Sequence, residues 1–335
     1  MITVYSRAAD CLVATPHAPG DPLPEHTVWI DLLAPSPEED HHVEALTGIS
    51  VPTREEMREI EESSRFYSES NAHYLVAPVI HGGGAGEFGL DPIVFVVSDK
   101  LLATVRYAEP TPFRLFAARC TKPGSGALSP DADGLSVMLE LLETITDRIA
   151  DHLENVAVRL DAESRRLFGN PAAATLAKQK PLTNAEFQKT LRLIAYEGEF
   201  LSKVRESLAG VSRFVVFAQS NVPAAKKRPD AKATLASVDR DLASLVAHAS
   251  YLAERVTFLI DAVVGLVSVE QNAIIKLFSV AAVALMPPTL VASIYGMNFH
   301  FMPELDWPFG YPMAIGLMIV SALLPLLYFK RRGWL

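Results

Sequence analysis

The sequence predicts an α+β domain joined by very long helices to two C-terminal transmembrane helices. Three observations predict it. Short β-rich runs alternate with short polar helical runs over roughly the first 120 residues, apolar residues recur at helical spacing through the middle, and two uncharged apolar runs, 277–295 and 311–329, lie near the end. Of the 335 residues 50% are hydrophobic, and mean hydropathy is +0.20, too apolar for a disordered chain.

The runs ITVYS (2–6), VWIDLL (28–33), YLVAPVI (74–80), PIVFVV (92–97) and LLATVRY (101–107) have strand composition. The last two are joined by the turn Ser98-Asp99-Lys100, which predicts a hairpin. PEEDHHVEAL (37–46) and TREEMREIEES (53–63), opened by Pro or Thr with acids in the first turn, predict helices. The Gly-rich segment 81–86 is followed by no Gly-Lys-Ser/Thr and fits no nucleotide fingerprint, so it reads as a flexible strand connection. These elements define an α/β domain over 1–122.

A Pro/Gly/Ser-rich break at 121–134 changes the texture to long helices. Leu139, Leu142, Ile145, Ile149, Leu153, Val156 and Leu160 mark a first helix over 135–167, stopped at Gly169-Asn170-Pro171. A second helix is expected over 183–220. A third starts after Pro229 and meets no strong break before Pro287, so it spans roughly 60 residues, on the order of 90 Å. The long-helix stalk is assigned to 134–275 and the membrane domain to 276–335.

Each uncharged run rises roughly 28 Å as a helix, about the thickness of a hydrocarbon core. Lys276 precedes the first span, about 277–295, and the tail 330–335 with Lys330, Arg331 and Arg332 follows the second, about 311–329. The connecting loop 296–310 has Glu304 and Asp306 but no Lys or Arg, so both termini are expected in the cytoplasm. Tyr295, Trp307 and Tyr311 near the loop, and Tyr328 and Trp334 at the other end, occupy interfacial aromatic positions. The N-terminal residues lack the apolar core of a secretory signal.

The net charge of −9 argues against a nucleic-acid partner and suits cations. Cys11 and Cys120 are the two cysteines, which excludes a disulfide framework or a Cys-rich zinc module. His41-His42 and His73 lack a ligand partner at helical spacing.

Along the third helix, Gly265, Ser268, Asn272, Ile275, Ser279, Ala282, Met286, Thr289 and Ser293 recur at alternating steps of three and four, a seven-residue repeat that keeps one face turned to neighbours. Such a stripe serves close helix packing or lines a pore. Asp261 lies near the same face in an otherwise apolar stretch and is a candidate cation site. Pro287-Pro288 removes donors from the span's ladder, which either bends the helix or frees carbonyls toward a pore. The stripe ends at Gly296-Met297-Asn298.

At this triplet the chain resembles the CorA family of divalent-cation channels, whose signature is Gly-Met-Asn at the outer end of the first of two C-terminal spans. The similarity continues through Met302-Pro303-Glu304-Leu305, Gly310-Tyr311-Pro312 and the tail from Tyr328 to Leu335, and upstream through Glu270-Gln271-Asn272 and Met286-Pro287-Pro288-Thr289-Leu290. The resemblance implies a funnel-shaped homo-pentamer in the inner membrane that passes Mg2+, with Co2+ as a second permeant ion, and is gated by internal Mg2+ between neighbouring head domains. No organic cofactor is expected. Gly296, Met297 and Asn298 then form the selectivity site, with Asn298 holding the ion through hydration water. The pore is lined by Asn272, Ile275, Phe278, Ser279, Ala282, Met286, Thr289 and Ser293, and Glu304 and Asp306 attract cations at the mouth. The zinc-transporting branch usually replaces the methionine, so Met297 favours magnesium over a zinc or other divalent-metal transporter. An enzyme is not expected, because no Walker pair is present and an inside-negative potential suffices to drive a cation. A membrane-anchored sensor or scaffold is the alternative of a different class, but an anchor needs no polar stripe ending at an amide-bearing loop.

Overall fold

A computed structural model describes residues 1–8, 11–59, 61–82, 88–169, 183–298, 300, 302–303 and 306–334. The chain divides into two compact units, Met1–Lys180 with Lys189–Leu259, and Pro181–Gln188 with Ile260–Leu335.

The first unit is built on a seven-stranded sheet of β1 (Ile2–Ala8), β2 (Cys11–His17), β3 (Thr27–Leu33), β4 (Phe66–Glu69), β5 (Ala72–Gly82), β6 (Phe88–Val97) and β7 (Leu102–Arg106), in the order β2-β1-β3-β7-β6-β5-β4. All neighbours are antiparallel except the central β3–β7 pair, which is parallel, in register from Trp29 opposite Leu102 to Leu33 opposite Arg106. The expected β6–β7 hairpin is present, with Val97 opposite Leu102 and the Ser98 hydroxyl donating to the Leu101 carbonyl at 3.0 Å. The Gly-rich segment joins β5 to β6, its residues 83–87 lying outside the described ones.

Period-two alternation splits the strands' side chains between two faces. Ile30, Leu32, Val94, Val96, Ala103 and Val105 pack on one side with Val43 of α1 (Pro37–Thr47) and Met57. On the other face Trp29 packs on Phe113 and Phe116 of α3 (Thr111–Cys120), and Phe95 reaches Phe113 and Phe214. The same face buries Asp31, whose carboxylate receives Arg106 and the Thr104 hydroxyl, while Trp29 Nε1 donates to Thr104 at 2.9 Å. Asp31, Thr104, Arg106 and the Trp29 indole thus partner one another, without which their burial would be costly.

The helix expected at 53–63 is corrected. One 3-10 turn, Glu56–Arg58, and the four-residue α2 (Glu62–Arg65) stand there, and Glu59 between them is extended at ψ 140. The segment offers only Met57 and Ile60 to a core, so no apolar stripe holds a longer helix. Strands β2 and β4 were not among the sequence expectations. Pro16 and the exposed, polar tips of these edge strands hide their strand pattern.

Three long helices follow: α4 (Gly134–Phe168), α5 (Asn184–Asn221) and, after the short α6 (Pro223–Lys227), α7 (Pro229–Tyr295). Residues 170–171 of the expected stop lie outside the described residues, but Gly169 caps α4 at φ 73. In the first unit α4 and α5 are clamped by a bidentate Arg159–Glu197 pair, and Arg255 of α7 pairs with Asp161 of α4. Arg228 ties the head of α7 to that of α4, donating to both oxygens of the N-cap Asp133 at 2.9 Å and to Asp230 at 2.6 Å. Two glycines allow close approach: a Cβ on Gly134 would stand 2.2 Å from the Leu101 carbonyl carbon, and one on Gly210 2.2 Å from Pro78.

Within the second unit α7 continues through Pro287 and Pro288 to Tyr295, and α8 runs from Gly310 to Arg331. The prolines therefore do not end the helix. They leave the carbonyls of Val283 and Ala284 without their ladder donors. Both helices are long and apolar enough to cross a membrane, and only 11% and 6% of their most apolar windows are buried. Buried core helices of a soluble protein would show the opposite.

Candidate functional site

The seven-residue stripe runs along the part of α7 that lies in the second unit. At 100° per residue its members cluster on one side of the helix. Ile275 is 61% exposed, Met286 70% and the adjoining Phe278 70%. Asn272, Ala282, Thr289 and Ser293 are exposed as well, and Ser279 is half-buried. Of the buried side chains in this part of α7, Val280 and Ala284 sit on nearly the opposite face and Val263 lies off the stripe as well. The stripe is uncovered in one chain, as are the large apolar Leu277, Leu285 and Leu290 off it. The Ser268 and Thr289 hydroxyls donate to the carbonyls four residues back, at 2.9 and 2.7 Å, which carries part of their polarity along the helix.

At the stripe's end the helix unwinds. Gly296 N–H still donates to Ala292 at 3.0 Å and Met297 N–H to Ile294 at 3.2 Å, after which Asn298 is non-helical and exposed. The exposed amide side chain of Asn298 can present an oxygen to a hydrated cation. A Cβ on Gly296 would sit 3.1 Å from the Ala292 carbonyl oxygen, a tight fit that makes glycine the residue best suited to this last turn. Asp306 is exposed beyond it, and Glu304 lies outside the described residues. Asp261 is exposed on α7, and among the described residues no three His, Cys, Asp or Glu side chains stand together as a metal site.

In the first unit, burial raises the pKa of Glu140, Glu143 and Asp147, successive acids along α4. Mutual repulsion reinforces this at Glu143, from Glu140, Asp147 and Asp241 of α7, and at Asp147, from Asp151 and Asp241, while Arg119 opposes it at all three. Of the histidines singled out in the sequence, His41 faces Glu44 at 3.2 Å and His73 meets the Ser68 hydroxyl at 2.8 Å. His42 Nε2 lies 3.1 Å from Nε2 of His17, a residue that sequence spacing did not bring to it.

A family model described as the CorA-like Mg2+ transporter protein matches residues 24–331. The chain belongs to that family. Among curated relatives, the magnesium transport protein CorA of Yersinia pseudotuberculosis is 35% identical over 311 residues, and that of Escherichia coli strain K12 is 35% identical over 312. In each case the match covers 92% of both chains. Among solved structures, the complete CorA magnesium transporter from Methanocaldococcus jannaschii has a TM-score of 0.76 at 18% identity, over 100% of this chain and 99% of that one. The architecture of this CorA-family chain, a mixed-sheet head with long helices and two C-terminal apolar helices, is therefore shared along its full length.

One contact of this CorA-family chain was not expected from its sequence. Lys276, just before the first apolar run, lies 5.8 Å from the centre of the Trp334 ring, so the tail after α8 returns to α7 beside Ile275. The signals were a lone cation in an apolar stretch and an aromatic residue at the second span's end, but nothing in their spacing joined them.

Proposed function

We propose that the chain is a magnesium channel that passes hydrated Mg2+, and Co2+ as a second ion, down the electrochemical gradient into the cytoplasm. The observation that carries the proposal is the uncovered stripe of α7 ending at the exposed Asn298. In a symmetric homo-pentamer of the inner membrane, stripes from all copies would face one axis and line a pore. Gly296 carbonyls and Asn298 amides would ring its outer mouth. Mg2+ dehydrates reluctantly, so neutral amide and carbonyl oxygens that hold its water shell let it enter and leave, whereas a carboxylate ring would bind more tightly and slow its exit. Asp306 and Glu304 would concentrate cations outside, and Asp261 would offer a further ring on the cytoplasmic side. The basic residues at 276 and 330–332 support an orientation in which both termini would lie in the cytoplasm. A potential of 100 mV contributes about 2.3 kcal/mol per charge, about 4.6 for a divalent ion, so conduction needs no catalytic step.

Internal Mg2+ would close the channel by bridging acids of neighbouring heads, which drops repulsion between subunits of net charge −9 and draws the long helices together. Ile275, Phe278 and Met286 would then form apolar rings narrow enough to dewet. The test is Mg2+ influx into liposomes holding the purified protein under an inside-negative potential. The proposal expects influx far above that of protein-free liposomes. A sensor or scaffold anchored by the same two helices would give none.

A further inference from the structure

The inner ends of the two spans meet in a constructed group of side chains. At the end of α8, Gly333 takes φ +71, and the Gly333 and Trp334 amides return to the Lys330 and Phe329 carbonyls at 3.1 and 3.0 Å. This left-handed turn, which suits a residue without a Cβ, folds the indole of Trp334 back onto Phe329 with ring centres 5.1 Å apart and planes at 25°. The other side of the assembly is Lys276 of α7, its ammonium 5.8 Å from the same indole, and Arg332 lies 5.4 Å over Tyr328.

Lys276, Lys330, Arg331 and Arg332 make no ion pair with an acid among the described residues. Two of these four cations, Lys276 and Arg332, have aromatic rings as neighbours, and none has an acidic partner among the described residues. The carbonyl end of the α8 dipole is negative, but its last carbonyls are occupied by the returning amides of 332–334, so the net field there stays positive. The surfaces directly above this level are apolar and uncovered, Leu277 60%, Leu324 63% and Leu327 57% exposed.

We propose that this group binds the phosphate-ester headgroup of an anionic phospholipid, its acyl chains lying along those exposed leucines. The headgroup phosphate completes the charge balance of Lys276 and the 330–332 tail. It thereby bridges α7 to α8 one residue from Ile275. An apolar face beside a cationic cluster selects a lipid over free phosphate, which has no use for the leucines, and each basic residue near a bilayer surface adds to attraction for anionic lipid. The proposal rests on the two-span reading above.

The experiment places the full chain in nanodiscs of phosphatidylcholine containing about a quarter phosphatidylglycerol and measures, after detergent extraction, which lipids stay bound by native mass spectrometry. Retention of phosphatidylglycerol over phosphatidylcholine is expected, falling by about tenfold in a Lys276→Gln/Arg331→Gln/Arg332→Gln variant and unchanged by millimolar inorganic phosphate. Trp334→Phe, which keeps a ring against Lys276, retains the preference, whereas Trp334→Ala weakens it. Equal retention of the two lipids, a preference that survives the triple substitution, or displacement by inorganic phosphate would overturn the proposal. A chain that fails to enter nanodiscs of either composition would instead overturn the two-span reading, and the lipid site with it.

Discussion

His152 on α4 is buried with its ring edge-on to Phe200, centroids 5.3 Å apart, and burial followed by the charge of Arg148 lowers its pKa from 6.5 to about 4. Between those values the unfolded chain takes up a proton that the folded head refuses, so this group's effect is to lose stability as pH falls from 6.5 toward 4. The acids at 140, 143 and 147, with raised values, act in the opposite sense over lower pH, so the test is a difference. His152→Gln is expected to melt progressively higher relative to wild type as pH drops from about 7 to about 5 in detergent, because only the wild type must bury or shed the extra charge. A gap that does not change with pH would contradict the assignment. Gly134→Ala is a purely steric case: its Cβ meets backbone at 2.2 Å, and a loss of about 1–3 kcal/mol is expected from chemical denaturation. At this scale a triplet such as Gly296-Met297-Asn298 can be read directly from the sequence because it is local. His152's burial, the His17–His42 contact and the buried Asp31–Arg106 pair were not, since each depends on which strand or helix faces another.

Helix α7 is where periodicity carried the argument furthest. Alternating steps of three and four drew a polar stripe that one chain leaves uncovered, with Val280 and Ala284 buried away from it, although Leu277, Leu285 and Leu290 off the stripe are uncovered too. The segment 53–63 shows the limit: acids and a threonine cap write a helix start, but only tertiary packing decides whether it propagates, and the 3-10 turn there buries Met57. Edge strands β2 and β4 were hidden for the same reason. For α7 the account makes a definite demand. Replacing Met286 or Ile275 by serine should leave a Mg2+ leak that internal Mg2+ closes less completely, by about tenfold or more, because a polar ring stays wet where an apolar one dries. Influx assays at low and high internal Mg2+ read this directly. Closure as complete as in wild type would move the constriction away from both positions.

For the whole molecule, family, fold and order of parts were legible from the end of the chain, where apolar length, charge asymmetry and the signature coincide. How copies assemble was not, because a sequence carries its neighbours' contacts only as exposed faces, and an exposed stripe suits packing as well as a pore. The proposed gating links the two. Raising internal Mg2+ should lower flux and slow hydrogen exchange over α7 near residues 256–275, and exchange unchanged by Mg2+ would make the head a scaffold. The central claim, that the ion passes Asn298 at the end of the stripe, is tested most directly by Mg2+ influx through Asn298→Ala beside wild type in liposomes of equal protein content under an inside-negative potential. The account predicts that the variant assembles and melts as wild type does yet conducts about a hundredfold less or not at all, and wild-type influx through it would place the ion path elsewhere.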